Sequence, residues 1–148
     1  MTELELQKVL MLDILDKQNI CAPNIKYYQK YESDLIAVSK SQLVTEFEIK
    51  RTYTDFEADF TKGRKGRWPT NKHRDISNGK LSNYFYFVCQ PHVIPIDKVP
   101  EHAGLIYIYN NAIYVQKQAP RLHNRKIDTK SILKICRSLG WKFLKYKK

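Results

Sequence analysis

The stretch Ser33–Phe60 reads SDLIAVSKSQLVTEFEIKRTYTDFEADF and organises the chain around it. An apolar run, Leu35 to Val38, begins just after Asp34. A polar break, Ser39 to Gln42, follows, and the chain returns as Leu43 to Arg51 with Glu46, Glu48 and Lys50 at alternate positions. Two β-rich runs around a polar turn predict a hairpin. Residues two apart on a strand share a face. Glu46, Glu48 and Lys50 therefore line one face, with Val44, Phe47 and Ile49 as apolar surface around them. A turn centred near Ser41 sets Asp34 opposite Glu48, at the roughly 4.5–5.5 Å Cβ spacing of cross-strand pairs.

Two carboxylates so close repel unless a cation joins them. Mg²⁺ is commonly held by one or two carboxylates plus phosphate oxygens of a substrate. Lys50 would then stand beside the metal, placed to orient or deprotonate a water and to face charge on a phosphate. Asp34 followed by Glu48-Ile49-Lys50 resembles the D…(D/E)-x-K signature of the PD-(D/E)XK nuclease superfamily. Thr54-Asp55-Phe56-Glu57-Ala58-Asp59, the basic segment ending in Lys72-His73, Asn83-Tyr84-Phe85-Tyr86-Phe87 and Gly104-Leu105-Ile106 extend the likeness. Their order is similar to the MmcB-like, DNA-repair-associated branch and to small phage and bacterial relatives, over roughly Asn24 to Val115. Ser33 stands where the superfamily name has proline. A lone [DE]-x-K triplet is weak evidence, since on the order of one arises by chance in a chain of this size. Asp128-Thr129-Lys130 is such a triplet, with no paired acid upstream.

The chain has 148 residues and 43% hydrophobic content, which fits one globular domain, residues 1–148. No apolar run of about 18 residues marks a membrane span, and the acidic start, MTELELQKVL, is unlike a secretory signal. Cys21, Cys89 and Cys136 form no C-x-x-C pair and read as inert thiols of a reducing cytoplasm. His73, His92, His102 and His123 lack zinc-site spacing, and no phosphate-cradling glycine motif is present. The net charge is +11, and it is unevenly spread. Residues 1–60 hold 7 Lys/Arg and 11 Asp/Glu, whereas residues 61–148 hold 19 and 4. The acidic half carries the proposed site and the basic half offers a surface for phosphates.

Along the rest of the chain, Thr2 to about Lys17 predicts an amphipathic helix with a Thr2/Glu5 capping box. Leu6, Val9, Leu10, Ile14 and Leu15 recur at helical spacing. A short strand, Ile25 to Gln29, is expected to pair with the strand of Asp34. A helix from Thr54, capped by Thr54 and Glu57, carries Phe56 and Phe60 toward the core. Lys62 to Lys80 reads as a long basic loop in which Arg64, Lys65, Arg67, Lys72 and His73 contact nucleic acid and Trp68 stacks on a base. Asn83 to Gln90 reads as a buried central strand. Gly104 to Tyr109 and Ala112 to Lys117 form a hairpin about Asn110-Asn111. Ile127 to about Leu139 predicts a helix with Ile132, Leu133, Ile135 and Cys136 on its apolar side and Gly140 as its stop. The tail WKFLKYKK is basic and amphipathic.

The expected fold is α/β and restriction-endonuclease-like, a mixed, mainly antiparallel central sheet flanked by helices. The resemblance implies Mg²⁺-dependent (or Mn²⁺-dependent) hydrolysis of DNA phosphodiester bonds, in DNA repair or phage DNA processing within a bacterial or phage-infected cytoplasm. Asp34, Glu48 and the Ile49 carbonyl would bind the metal, and Lys50 would position the attacking water. Glu46, Asp55, Asp59 and Glu5 (with Glu3 next) are secondary candidates, Glu5 because some superfamily members draw an acid from a first helix. RNA stays open beside DNA, and a homodimer is open because many nucleases of this fold dimerise to cut both strands. The alternatives are a non-cutting nucleic-acid-binding module and a protein-interaction factor on the same fold.

Overall fold

Strand order in the sheet equals chain order, because each connection returns the chain beside the strand it has just left. The computed structural model describes residues 1–17, 19–26, 31–61 and 72–146. Helix α1 (Glu3–Asp16) leads into β1 (Ile20–Ile25), β2 (Ser33–Val38) and β3 (Val44–Ile49). Helices α2 (Tyr53–Thr61) and α3 (Lys72–Ser77) then lead to β4 (Tyr84–Cys89). A single 3₁₀ turn, Ile96–Lys98, precedes β5 (Gly104–Tyr109) and β6 (Ala112–Lys117), and α4 (Thr129–Tyr146) closes the chain. The result is an α/β fold with a six-stranded mixed sheet, β1-β2-β3-β4-β5-β6. The β3–β4 and β4–β5 pairs are parallel and the other three antiparallel. Parallel pairs need a crossover; α2 and α3 lie in the first one.

Both faces of the sheet are covered. On one face, Leu6, Leu10 and Ile14 of α1, spaced four apart, pack on Leu35, Ala37, Phe47, Ile49, Val88, Ile106 and Ile108. The other face has two apolar patches. At the β1–β2 edge, Ile132, Ile135 and Leu139 of α4 cover Ala22, Ile36, Val38 and Val44. Further along, Phe56 of α2 and Ile76 of α3 cover Phe85, Phe87, Leu105 and Tyr107. Glu46 is in register with Ile36 on one side and Phe85 on the other, so the acids of β3 sit in the seam between the patches.

Several boundaries differ from the sequence reading. The first strand runs Ile20–Ile25, beginning five residues before the expected Ile25–Gln29, of which residues 27–29 lie outside the described ones. Pro23 is tolerated there because β1 is an edge strand, where a missing N–H breaks no central ladder. Helix α2 is capped two residues earlier than expected: Thr52 Oγ1 accepts the Asp55 N–H at 3.1 Å. The basic loop contains α3, which ends at Gly79 with φ +70°. Helix α4 is capped by Asp128, which accepts the Ser131 N–H at 2.7 Å, and it runs through Gly140 to Tyr146. A helical glycine costs only about 1 kcal/mol against alanine, too little to stop a helix whose tail is otherwise helix-forming. Leu133 and Cys136, expected inside, are exposed, because the covered side of α4 is the Ile132–Ile135–Leu139 stripe.

The Asn110-Asn111 turn is as expected, with both residues at positive φ, 49° and 59°. Gly104 lies under the Tyr86 ring so closely that a Cβ would come within 2.4 Å of it. Cys21 and Cys89 are buried, and burial pushes each thiol up to about 11. No helix among the described residues is long and apolar enough to cross a membrane.

Candidate functional site

The β2–β3 hairpin pairs Leu35 with Phe47 and Ile36 with Glu46, so the same register continued one step sets Asp34 across from Glu48. Asp34 is anchored at this step, since its Oδ2 accepts the Ile49 N–H at 2.8 Å. The Gln7 side chain of α1 donates to the Asp34 carbonyl at 2.7 Å and to Asn24 Oδ1 at 3.3 Å. Burial, then the charge of Glu48, raises the Asp34 carboxyl to about 7, against the pull of the Ile49 N–H and Lys50. Glu3 of α1 adds a smaller push in the same direction.

Two lysines sit among the acids. Lys72, at the start of α3, places Nζ 3.2 Å from Glu48 Oε2 and 3.5 Å from Glu46 Oε1. Glu46 is buried and takes a short hydrogen bond from Ser33 Oγ. Its Oε1 has no hydrogen bond among the described residues, so the Lys72 contact there is a bare ion pair. Burial raises the Glu46 carboxyl, with Lys72 and Ser33 opposing. Burial alone would lower the Lys72 ammonium, but Glu46 and Glu48 outweigh it and hold the cation. Lys50, two residues after Glu48, places Nζ 3.4 Å from Glu48 Oε1 and 2.5 Å from Asp59 Oδ1 of α2.

A polar chain continues from Asp59. His73 Nε2 lies 3.4 Å from Asp59 Oδ2, and His73 Nδ1 lies 3.0 Å from His102 Nε2. The His73 ring is held against Phe87 and Phe60. Burial would raise Asp59, but hydrogen bonds from His73 and Lys50 win and lower it. His102 is pushed down to about 4 by burial, His73 and Lys117, so it is neutral at physiological pH.

The site therefore joins Asp34, Glu46, Glu48, Lys50, Asp59, Lys72 and His73, drawn from β2, β3, α2 and α3. Lys72 and His73, read in the sequence as substrate contacts, are instead turned into the acids. Ile49 lends its N–H to Asp34 while its side chain packs under α1. Glu5 is elsewhere: its Oε2 accepts the Thr2 N–H at 2.6 Å and closes the capping box of α1. Asp55 is exposed in the first turn of α2. Arg64, Lys65, Arg67 and Trp68 lie outside the described residues. Ser33 and His102 are additions that the sequence pattern does not single out. Ser33 is legible there only as a missing proline, and His102, 29 residues from His73, carries no signal.

Four carboxylates face two ammonium groups here, leaving two negative charges unbalanced when all are ionised. The donors are hard oxygens and suit Mg²⁺ or Mn²⁺ rather than zinc. No group of three or more His, Cys, Asp or Glu surrounds a common point among the described residues. A divalent ion there would have at most a two-carboxylate hold from the protein, Asp34 with Glu48, and would need water or phosphate to complete its shell.

No protein-family model matches the chain, and no curated protein does. Among solved structures, the chain is similar to the SPO1766 protein of unknown function from Silicibacter pomeroyi, at 12% identity and a TM-score of 0.71 over 96% of this chain and 88% of that one, which shows a shared fold.

Proposed function

We propose that the protein is a metal-dependent nuclease that hydrolyses DNA phosphodiester bonds, with RNA open as a second substrate. The observation that supports this most is Asp34 set across the hairpin from Glu48 with Lys50 two residues on, all at one end of one sheet face. Asp34 and Glu48, with the Ile49 carbonyl, would hold Mg²⁺ or Mn²⁺; the ion supplies polarisation of the phosphate and a water of lowered pKa. Lys50, held between Glu48 and Asp59, orients a water and faces charge developing on the phosphate. Asp59, held by His73, fixes the position of Lys50. The resemblance to nucleases of repair and phage processing assigns this activity to the cytoplasm of a bacterial or phage-infected cell.

One observation favours the non-cutting nucleic-acid-binding module. Lys72 already bridges Glu46 and Glu48, as a purely structural ion-pair network would require. The two readings separate on labelled single-stranded, duplex, flap and four-way-junction DNAs and a matched RNA, with Mg²⁺ or Mn²⁺. Metal-dependent cutting that disappears in Glu48→Ala and Lys50→Ala supports the nuclease. Binding without cutting, unchanged in both variants, supports the module. Neither cutting nor binding would leave a protein-interaction factor.

A further inference from the structure

Helix α4 carries Lys130, Lys134, Arg137, Lys142 and Lys145 and no acid. Lys134, Arg137, Trp141 and Lys145 are spaced three, four and four residues apart, so they form one stripe along the helix. That stripe is distinct from the Ile132–Ile135–Leu139 stripe packed on the sheet. Its members are exposed, and Trp141 keeps 63% of its surface accessible. An indole so exposed contributes little to the fold.

This end of α4 also contacts β1. Lys142 Nζ donates to the Asn24 carbonyl at 2.9 Å, and Gln7 bonds both Asn24 and the backbone of Asp34. Helix α4 thus covers the β1–β2 part of the sheet face that carries the carboxylates, with the cationic stripe turned outward to solvent. Phosphates would favour the stripe and be repelled by the acids unless a cation were present there.

The geometry points to Lys134–Arg137–Trp141–Lys145 as a binding strip for an unpaired nucleic-acid strand. It rests on the nuclease reading and narrows it to substrates with single-stranded character. Lysine and arginine would bind the backbone without regard to sequence. An exposed aromatic face between cations offers stacking, which only a base freed from a duplex can use.

The test is binding of a labelled oligothymidylate and of a duplex of the same length to the full chain, in EDTA so that cutting cannot intervene. Trp141→Ala is expected to weaken the unpaired strand roughly tenfold and the duplex little, as for loss of one stacked base. Lys134→Gln with Lys145→Gln is expected to weaken both and to flatten the salt dependence for the single strand by about 0.7 per lost phosphate contact. Every changed residue is exposed, and circular dichroism checks that each variant folds. Wild-type affinity in Trp141→Ala, or preference of the wild type for duplex, would overturn the inference. So would Trp141-dependent binding to phosphatidylserine-containing vesicles, or Trp141-dependent self-association, without strand binding. Cutting with unchanged strand binding in Trp141→Ala would sink this inference alone. Trp141-dependent binding without cutting would sink the nuclease reading alone.

Discussion

The two faces of β3 make opposite contributions. Phe47 and Ile49 point under α1 into a continuous apolar layer. Burying each contributes on the order of 1.5–3 kcal/mol. Glu46 and Glu48, on the other face of the same strand, are also withdrawn from water, yet there desolvation works against folding. Lysines offset part of that cost, and two negative charges remain over when all four carboxylates are ionised. A strand that needed only to be stable would carry apolar residues on both faces, as Phe85 and Val88 let β4 do. The polar seam is thus a cost to stability for which the proposed chemistry would account.

The sharpest way to break this contrast is to change one residue on each face. Glu48→Gln is expected to cut the cleavage rate by roughly two to three orders of magnitude, as for loss of a preorganised charged group, with only a small change in denaturation midpoint. Phe47→Ala is expected to lose about 3–5 kcal/mol of stability in urea while the remaining folded protein still cuts. Equal loss of stability in both, from a wild type that never cuts, would reduce Glu48 to an ion-pair partner.

Next in size is the seam's internal cation. Lys72→Met strands Glu46 in an apolar setting and is expected to cost about 3–5 kcal/mol. Adding Glu46→Gln should restore most of it, because replacing both members of a buried pair is nearly neutral. A single variant as stable as the wild type in urea would show that Lys72 does not balance these acids.

The dependence on pH sharpens the contrast. Asp34 is raised in the fold from 3.8 to about 7, so its contribution is full below pH 4 and is lost as pH rises toward 7. His102 is lowered from 6.5 to about 4, so its contribution is present above 6.5 and is lost as pH falls toward 4. The two slopes oppose each other between pH 4 and 6.5. Relative to wild type, Asp34→Asn should gain stability as pH rises across that window, and His102→Asn should lose it, by up to a few kcal/mol each. Thermal melts in steps of pH read both signs, and a parallel shift of the two profiles would refute the assignment. Added Mg²⁺ should raise the melting temperature more at pH 8 than at pH 6, since binding requires the ionised carboxylate.

The smallest effect concerns the first helix. Thr2→Ala should cost about 1 kcal/mol through loss of the N-cap, and Glu5→Gln should leave cleavage unchanged. Reduced cutting in folded Glu5→Gln would return α1 to the acid donors of the site.

Local pattern is enough to place the elements that repeat with a short period. The β2–β3 register, the β5–β6 hairpin with its two asparagines, the buried central strand and the Thr2/Glu5 cap all depend on neighbours within a few residues, and each is legible in the sequence. Boundaries that depend on what lies alongside are not. Pro23 has the character of a breaker, and only the edge position of β1 makes room for it. Gly140 has the character of a stop, and α4 runs past it. The site divides in the same way. Alternation along β3 groups Glu46, Glu48 and Lys50, and the register of the hairpin turn adds Asp34 across from Glu48, both within reach of the sequence. Only the crossover through α2 and α3 brings Asp59, Lys72 and His73 over that row, and only the β4–β5 connection brings His102 against His73, because their meeting depends on how these connections pack across parallel strand pairs, and no spacing along the chain encodes it.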